Sequence, residues 1–172
     1  MQDRSEHAFL GEEFLTWLWY RSETGQATFT LRDRSEVAIS LDDFLCIGGN
    51  EDETEQTLRK GLPTRSHEAT AALASGKRLV KARLIVAEGD DEWTLTLDGP
   101  RFAFGSVRRN NPEADSESAE ARDIERIQSF VRVGEVLDGI YGVFLDERLQ
   151  ENFSATTLDA MRGWVEARGA RD

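Results

Sequence analysis

The sequence predicts an α+β domain: an antiparallel sheet, built from a hairpin and a three-stranded meander, packed with a buried N-terminal helix, a short middle helix and a long C-terminal helix. Three observations carry that prediction. Apolar residues crowd Phe9–Tyr20 too densely for a free helix in water. Two blocks of period-2 alternation, one near residues 28–47 and one over 79–104, are separated by an alanine-rich helical stretch. After residue 118 the apolar residues step by threes and fours. Helix, strands, helix, meander, helices is not a β-α-β alternation, so the strands pair antiparallel.

Each element has a local reason. In Phe9–Ser22, apolar side chains at Phe9, Leu10, Phe14, Leu15, Trp17, Leu18 and Trp19 cover most of a helix circumference, with Glu12-Glu13 as its one solvated edge. Gly25 opens a hairpin of Thr28–Leu31 and Val37–Leu41, joined by the polar turn Arg32–Ser35. Phe44–Ile47 extends the second strand or begins another, Gly48–Asn50 ends it, and Glu51–Glu55 is an acidic loop. Thr57–Lys60 is one more short strand.

Thr64 or Ser66 caps the middle helix, Glu68 sits at the positive end of its dipole, and Gly76 is placed as the left-handed residue that stops it. The meander runs through Leu79–Val86, Trp93–Leu97 and Arg101–Phe104, with turns at Gly89–Glu92 and Asp98-Gly99-Pro100. Lys81 and Arg83 share one strand face with Leu79, opposite Val80, Ala82 and Leu84. Residues 108–118 read as a mobile acidic loop. A long helix follows over 119–149, with an apolar stripe of Ile124, Ile127, Val131, Gly134, Val136 or Leu137, Ile140, Tyr141, Phe144 and Leu145. Ser154 caps a last helix over 155–167. The organisation is a flexible tail (1–8), a sheet region (9–107), the loop (108–118) and C-terminal helices of the same domain (119–168).

Composition narrows the function. A chain of 172 residues holds one core without staples. The single cysteine, Cys46, excludes an intrachain disulfide and reads as a buried thiol in a reducing cytoplasm. Residues 1–8 are polar, so no signal peptide is expected, nor any membrane span. A net charge of −12 opposes nucleic-acid binding over the whole surface, yet residues 59–109 hold ten Lys/Arg against six acids, leaving −16 for the rest.

No catalytic motif stands out. There is no P-loop, no nucleophile elbow and no calcium loop, and His7 and His67 are too few and too polar in setting for a triad or a metal site. No catalytic residue, metal ligand or cofactor is therefore expected. Two binding features remain. Lys77, Arg78, Lys81 and Arg83, joined by Arg101, Arg108 and Arg109, form a candidate stripe for DNA phosphates. Phe9, Phe14, Trp17, Trp19 and Tyr20 are candidate interface aromatics on the first helix, for a homodimer or a partner protein.

The order of motifs also resembles a known family. Thr57–Lys77, then Leu79–Val86, then Glu92–Leu97, with a capped helix ending in Gly76-Lys77 and a D-G turn at Asp98-Gly99, is similar to the carboxy-terminal part of the RdgC recombination-associated proteins. Phe130–Ile140 resembles that family's final helix, and Phe9–Glu23 the segment joining its halves. The resemblance spans about residues 9–150. It implies a bacterial cytoplasmic homodimer, non-catalytic, that binds duplex DNA without sequence preference and modulates RecA-type recombination. The alternative from the residues themselves is an acidic protein-interaction module, the separate half of a larger assembly, without DNA binding of its own.

Overall fold

The computed structural model describes residues 8–48, 56–59, 64, 66–110 and 118–169. In chain order these form α1 (Ala8–Glu23), β1 (Thr28–Thr30), β2 (Glu36–Gly48), β3 (Gln56–Arg59), α2 (His67–Ala74), β4 (Arg78–Glu88), β5 (Asp91–Asp98), β6 (Ala103–Arg109), α3 (Ala119–Arg148) and α4 (Asp159–Gly169). The predicted α+β class is the one observed. The tail before residue 8, the acidic loop at 51–55 and residues 111–117 lie outside the described residues, as does Lys60.

One antiparallel sheet organises the chain, in the order β1-β2-β4-β5-β6, with β3 also paired to β2. The hairpin and the meander are thus one sheet, joined because β2 pairs with β4 from Val37↔Glu88 to Gly48↔Arg78. Phe44–Ile47 does extend β2, and Thr57–Arg59 does form a short strand beside it. Alternation then divides the sheet. Ile39, Leu84, Val86, Trp93, Leu95 and Leu97 enter the core, while Arg83, Ile85, Thr94 and Thr96 face the other way.

The core side carries the helices. Phe14, Leu15, Trp17, Leu18 and Trp19 of α1 are buried without remainder. Phe14 meets Tyr141 edge-on at 5.1 Å and Phe144 at 5.5 Å, and Trp17 meets Phe144 at 5.4 Å. Trp19 meets Trp164 of α4 edge-on at 5.4 Å. Burying five such side chains stabilises the domain by roughly 2 kcal/mol each, less the cost of the Trp17 and Trp19 indole N–H groups, which find no acceptor. Close approach is needed too: a Cβ on Gly11 would overlap the Gly99 carbonyl in the turn between β5 and β6.

Local signals mostly act as their chemistry predicts. Gly76 takes φ +90° past α2, with Lys77 N–H donating to Ala72 O and Gly76 N–H to Leu73 O. Gly25 ends α1 the same way, Gln26 N–H reaching Arg21 O. Ser118 accepts from Ala121 N–H at 3.1 Å as the cap of α3. Ser66 occupies the cap position of α2 without a side-chain bond.

Four expectations need correction. Arg108 and Arg109 belong to β6, not to a loop, because the strand keeps its pairing as far as Trp93↔Arg109. Ser154 lies inside a π-helical turn (Ser154–Leu158) that leads into α4, so it caps nothing. Leu79 is buried rather than beside Lys81, because the register with β2 slips between Cys46↔Lys81 and Ile47↔Leu79 and leaves Val80 as an extra residue. Glu12 is not a solvated edge: it is 3 % exposed.

Candidate functional site

The cationic stripe forms in part, and Arg78, Lys81, Arg83, Arg101 and Arg109 each meet a carboxylate. Lys81 stands directly across from Asp98 in the β4–β5 register, with Nζ 3.4 Å from Oδ2. Arg83 Nη1 donates to Asp43 Oδ1 at 2.6 Å, because residues 42–44 of β2 bulge outward opposite it. Arg78 Nη1 donates to the buried Glu12 Oε2 at 3.0 Å. Arg101 reaches the same Asp98 at 3.6 Å. Arg109 is pinned between Asp91 and Glu125, the latter at 3.0 Å, and both bonds raise its pKa above the ordinary guanidinium value. Arg108 is exposed on the opposite face from Arg109, in register with Thr94. The sheet therefore brings Lys81 and Arg83 onto one face but sends Arg109 to the other.

The interface aromatics divide more sharply. Phe14, Trp17 and Trp19 are core residues of this chain, which corrects the expectation that they meet a partner. Tyr20 packs edge-on against Trp164 at 5.8 Å. Only Phe9 is substantially exposed. It lines a cavity of about 500 Å³ between α1, the end of α2 and α4, together with Thr16, Leu73, Lys77, Arg78 and Met161. Two ion pairs brace its polar rim, Glu12–Arg78 and Glu13–Arg148, the second at 2.9 Å.

A further ion cluster clamps α3 to the sheet. Arg132 donates through Nε to Glu88 Oε2 at 2.9 Å, and its Nη atoms reach Glu88, Glu135 and Asp33. Asp33 is held down to about 2 by bonds from the Ser35 hydroxyl and N–H and by Arg132. Glu88 is lowered chiefly by its bond from Arg132, and Arg132 is raised in return. Among the described residues no group of three His, Cys, Asp or Glu is placed to hold a metal ion, and no helix is long and apolar enough to cross a membrane.

The feature that sequence reasoning misplaced lies on α3. Ile124, Ile127 and Val131 are 50 %, 64 % and 54 % exposed. Val133, Val136 and Ile140 follow them by nine positions each, which is two and a half helical turns, and those three are fully buried. The single stripe expected from the sequence is thus two stripes on opposite sides. Phe130, 49 % exposed, stacks on Phe104 at 4.6 Å and widens the outer one. The signal was available: a helix with apolar residues at both azimuths has a second apolar face to cover. Compared with known proteins, the chain matches no family model, no curated protein and no solved structure.

Proposed function

We propose that the protein is a non-catalytic, acidic interaction module that acts by contacting another protein, and not by gripping duplex DNA on its own. The observation that supports this reading most is the uncovered apolar stripe Ile124–Ile127–Val131 on an otherwise acidic molecule. The cations argue in the same direction. A phosphate approaching Lys81 or Arg83 must displace Asp98 or Asp43, and it does so against a net charge of −12.

The test is a titration of labelled duplex DNA at 50 and 200 mM salt. Under the protein-contact reading no retarded species forms at micromolar protein, and Lys81→Glu with Arg83→Glu changes nothing. The second reading, sequence-independent DNA binding that restrains RecA-type strand exchange, draws on the exposure of Arg78, Arg101 and Arg108. It predicts a shift that weakens steeply with salt and is lost when Arg78, Arg101 and Arg108 become Glu. That result would replace the first reading.

A further inference from the structure

The outer face of α3 has a chemistry that selects its partner. We infer that it docks a basic amphipathic helix, with apolar anchors at i, i+3 or i+4 and i+7 and Lys or Arg on the flanks; this rests on the protein-contact reading above. Along that face, from Glu120 to Asp138, the exposed side chains are Glu120, Ile124, Ile127, Val131, Glu135 and Asp138. The residues run for 19 positions, about 28 Å at 1.5 Å per residue, a length that suits a partner helix of about five turns. Apolar residues occupy the centre and carboxylates both ends. No Lys or Arg shares the azimuth. Arg132, the nearest cation, is committed to Glu88, Asp33 and Glu135.

Charge decides between occupants. If a second copy lay antiparallel with Ile124 opposite Val131, the same register would set Glu120 opposite Glu135 at both ends. A parallel copy would set every acid beside its own counterpart. Like charges so placed oppose association, whereas a cationic flank meets Glu120 and Asp138 directly and shares Glu135 with Arg132. The chain's own segments at 49–55 and 111–117 contain acids and no Lys or Arg, so they mismatch the face for the same reason. The apolar centre gives the contact its register, and Phe130 on Phe104 gives it an aromatic edge.

The experiment uses the intact protein and three synthetic 18-residue peptides. One carries leucines at helical spacing with lysine flanks, the second has the same leucines with glutamate flanks, and the third is a scrambled lysine peptide. Affinity is read by fluorescence anisotropy at 150 mM salt. The amphipathic lysine peptide should bind at least tenfold more tightly than either control. Ile127→Asp should weaken it tenfold or more with an unchanged melting curve, and Glu135→Gln with Asp138→Asn should weaken it about threefold and flatten its salt dependence. Equal affinity for lysine and glutamate peptides, binding indifferent to Ile127→Asp, or no binding by any peptide overturns the inference. So does a dimer in sedimentation that Ile127→Asp dissolves, since a second copy would then be the occupant. A peptide bound equally by the Ile127→Asp variant but lost on Phe9→Asp would move the contact to the cavity and leave the protein-contact reading standing; a salt-dependent DNA shift with no peptide binding would sink both.

Discussion

Helices α1 and α3 both look apolar in the sequence, and the fold treats them in opposite ways. α1 is surrounded: β2 and β4 lie under it, and α3 and α4 lie beside it, so Phe14, Trp17 and Trp19 all reach the interior. α3 touches the core through one side only. Val133, Val136, Ile140 and Phe144 are buried, while Ile124, Ile127 and Val131 keep half or more of their surface exposed. Apolar content says that a surface must be covered, but the neighbours decide whether this chain covers it.

Single substitutions in the two helices test that contrast, beginning with α1. Trp17→Ala should cost about 3–5 kcal/mol in chemical denaturation, because the indole sits among Phe14, Phe29 and Phe144. Gly11→Ala should cost about 3 kcal/mol, since its new methyl must push backbone away from backbone at Gly99. Equal stability of that variant and the wild type would show that α1 is not seated against that turn.

Within α3 the sharper comparison is Ile140→Ala against Val131→Ala, nine residues apart. The first should lose about 3 kcal/mol and the second less than about 0.5 kcal/mol. Similar losses at both positions would mean that the outer stripe is buried after all.

A smaller effect belongs to the clamp between α3 and the sheet. Arg132→Met should lose about 1 kcal/mol at pH 7 through the Glu88 bond. Because Asp33 and Glu88 titrate below their ordinary values when folded, the stability they add is complete above the usual carboxylate range. It drains away as pH falls from about 4 towards 2. Melting temperatures of the wild type and Arg132→Met should therefore lie apart at pH 7 and converge near pH 2. A constant gap across that range would assign the loss to packing instead.

Much of the fold was legible because its signals are local. Gly76 stops α2 by left-handed geometry, Gly25 opens the first hairpin, and the alternation of Trp93, Leu95 and Leu97 assigns a strand face. What escaped was non-local. The slip that buries Leu79 depends on how β4 meets β2, and the bulge that brings Asp43 to Arg83 depends on the same pairing. No spacing in the sequence reveals that Arg83 meets Asp43, or that Glu12 lies buried against Arg78, because the partners are 40 and 66 residues apart.

The element types, several of their ends, the α+β class and the surplus of negative charge were readable from the chain alone, since each follows from neighbouring residues or from composition. Which cations are neutralised and which apolar face stays open emerges only once the chain is folded. Both depend on contacts between residues far apart in the chain, where strand register and helix azimuth, rather than residue identity, choose the partner.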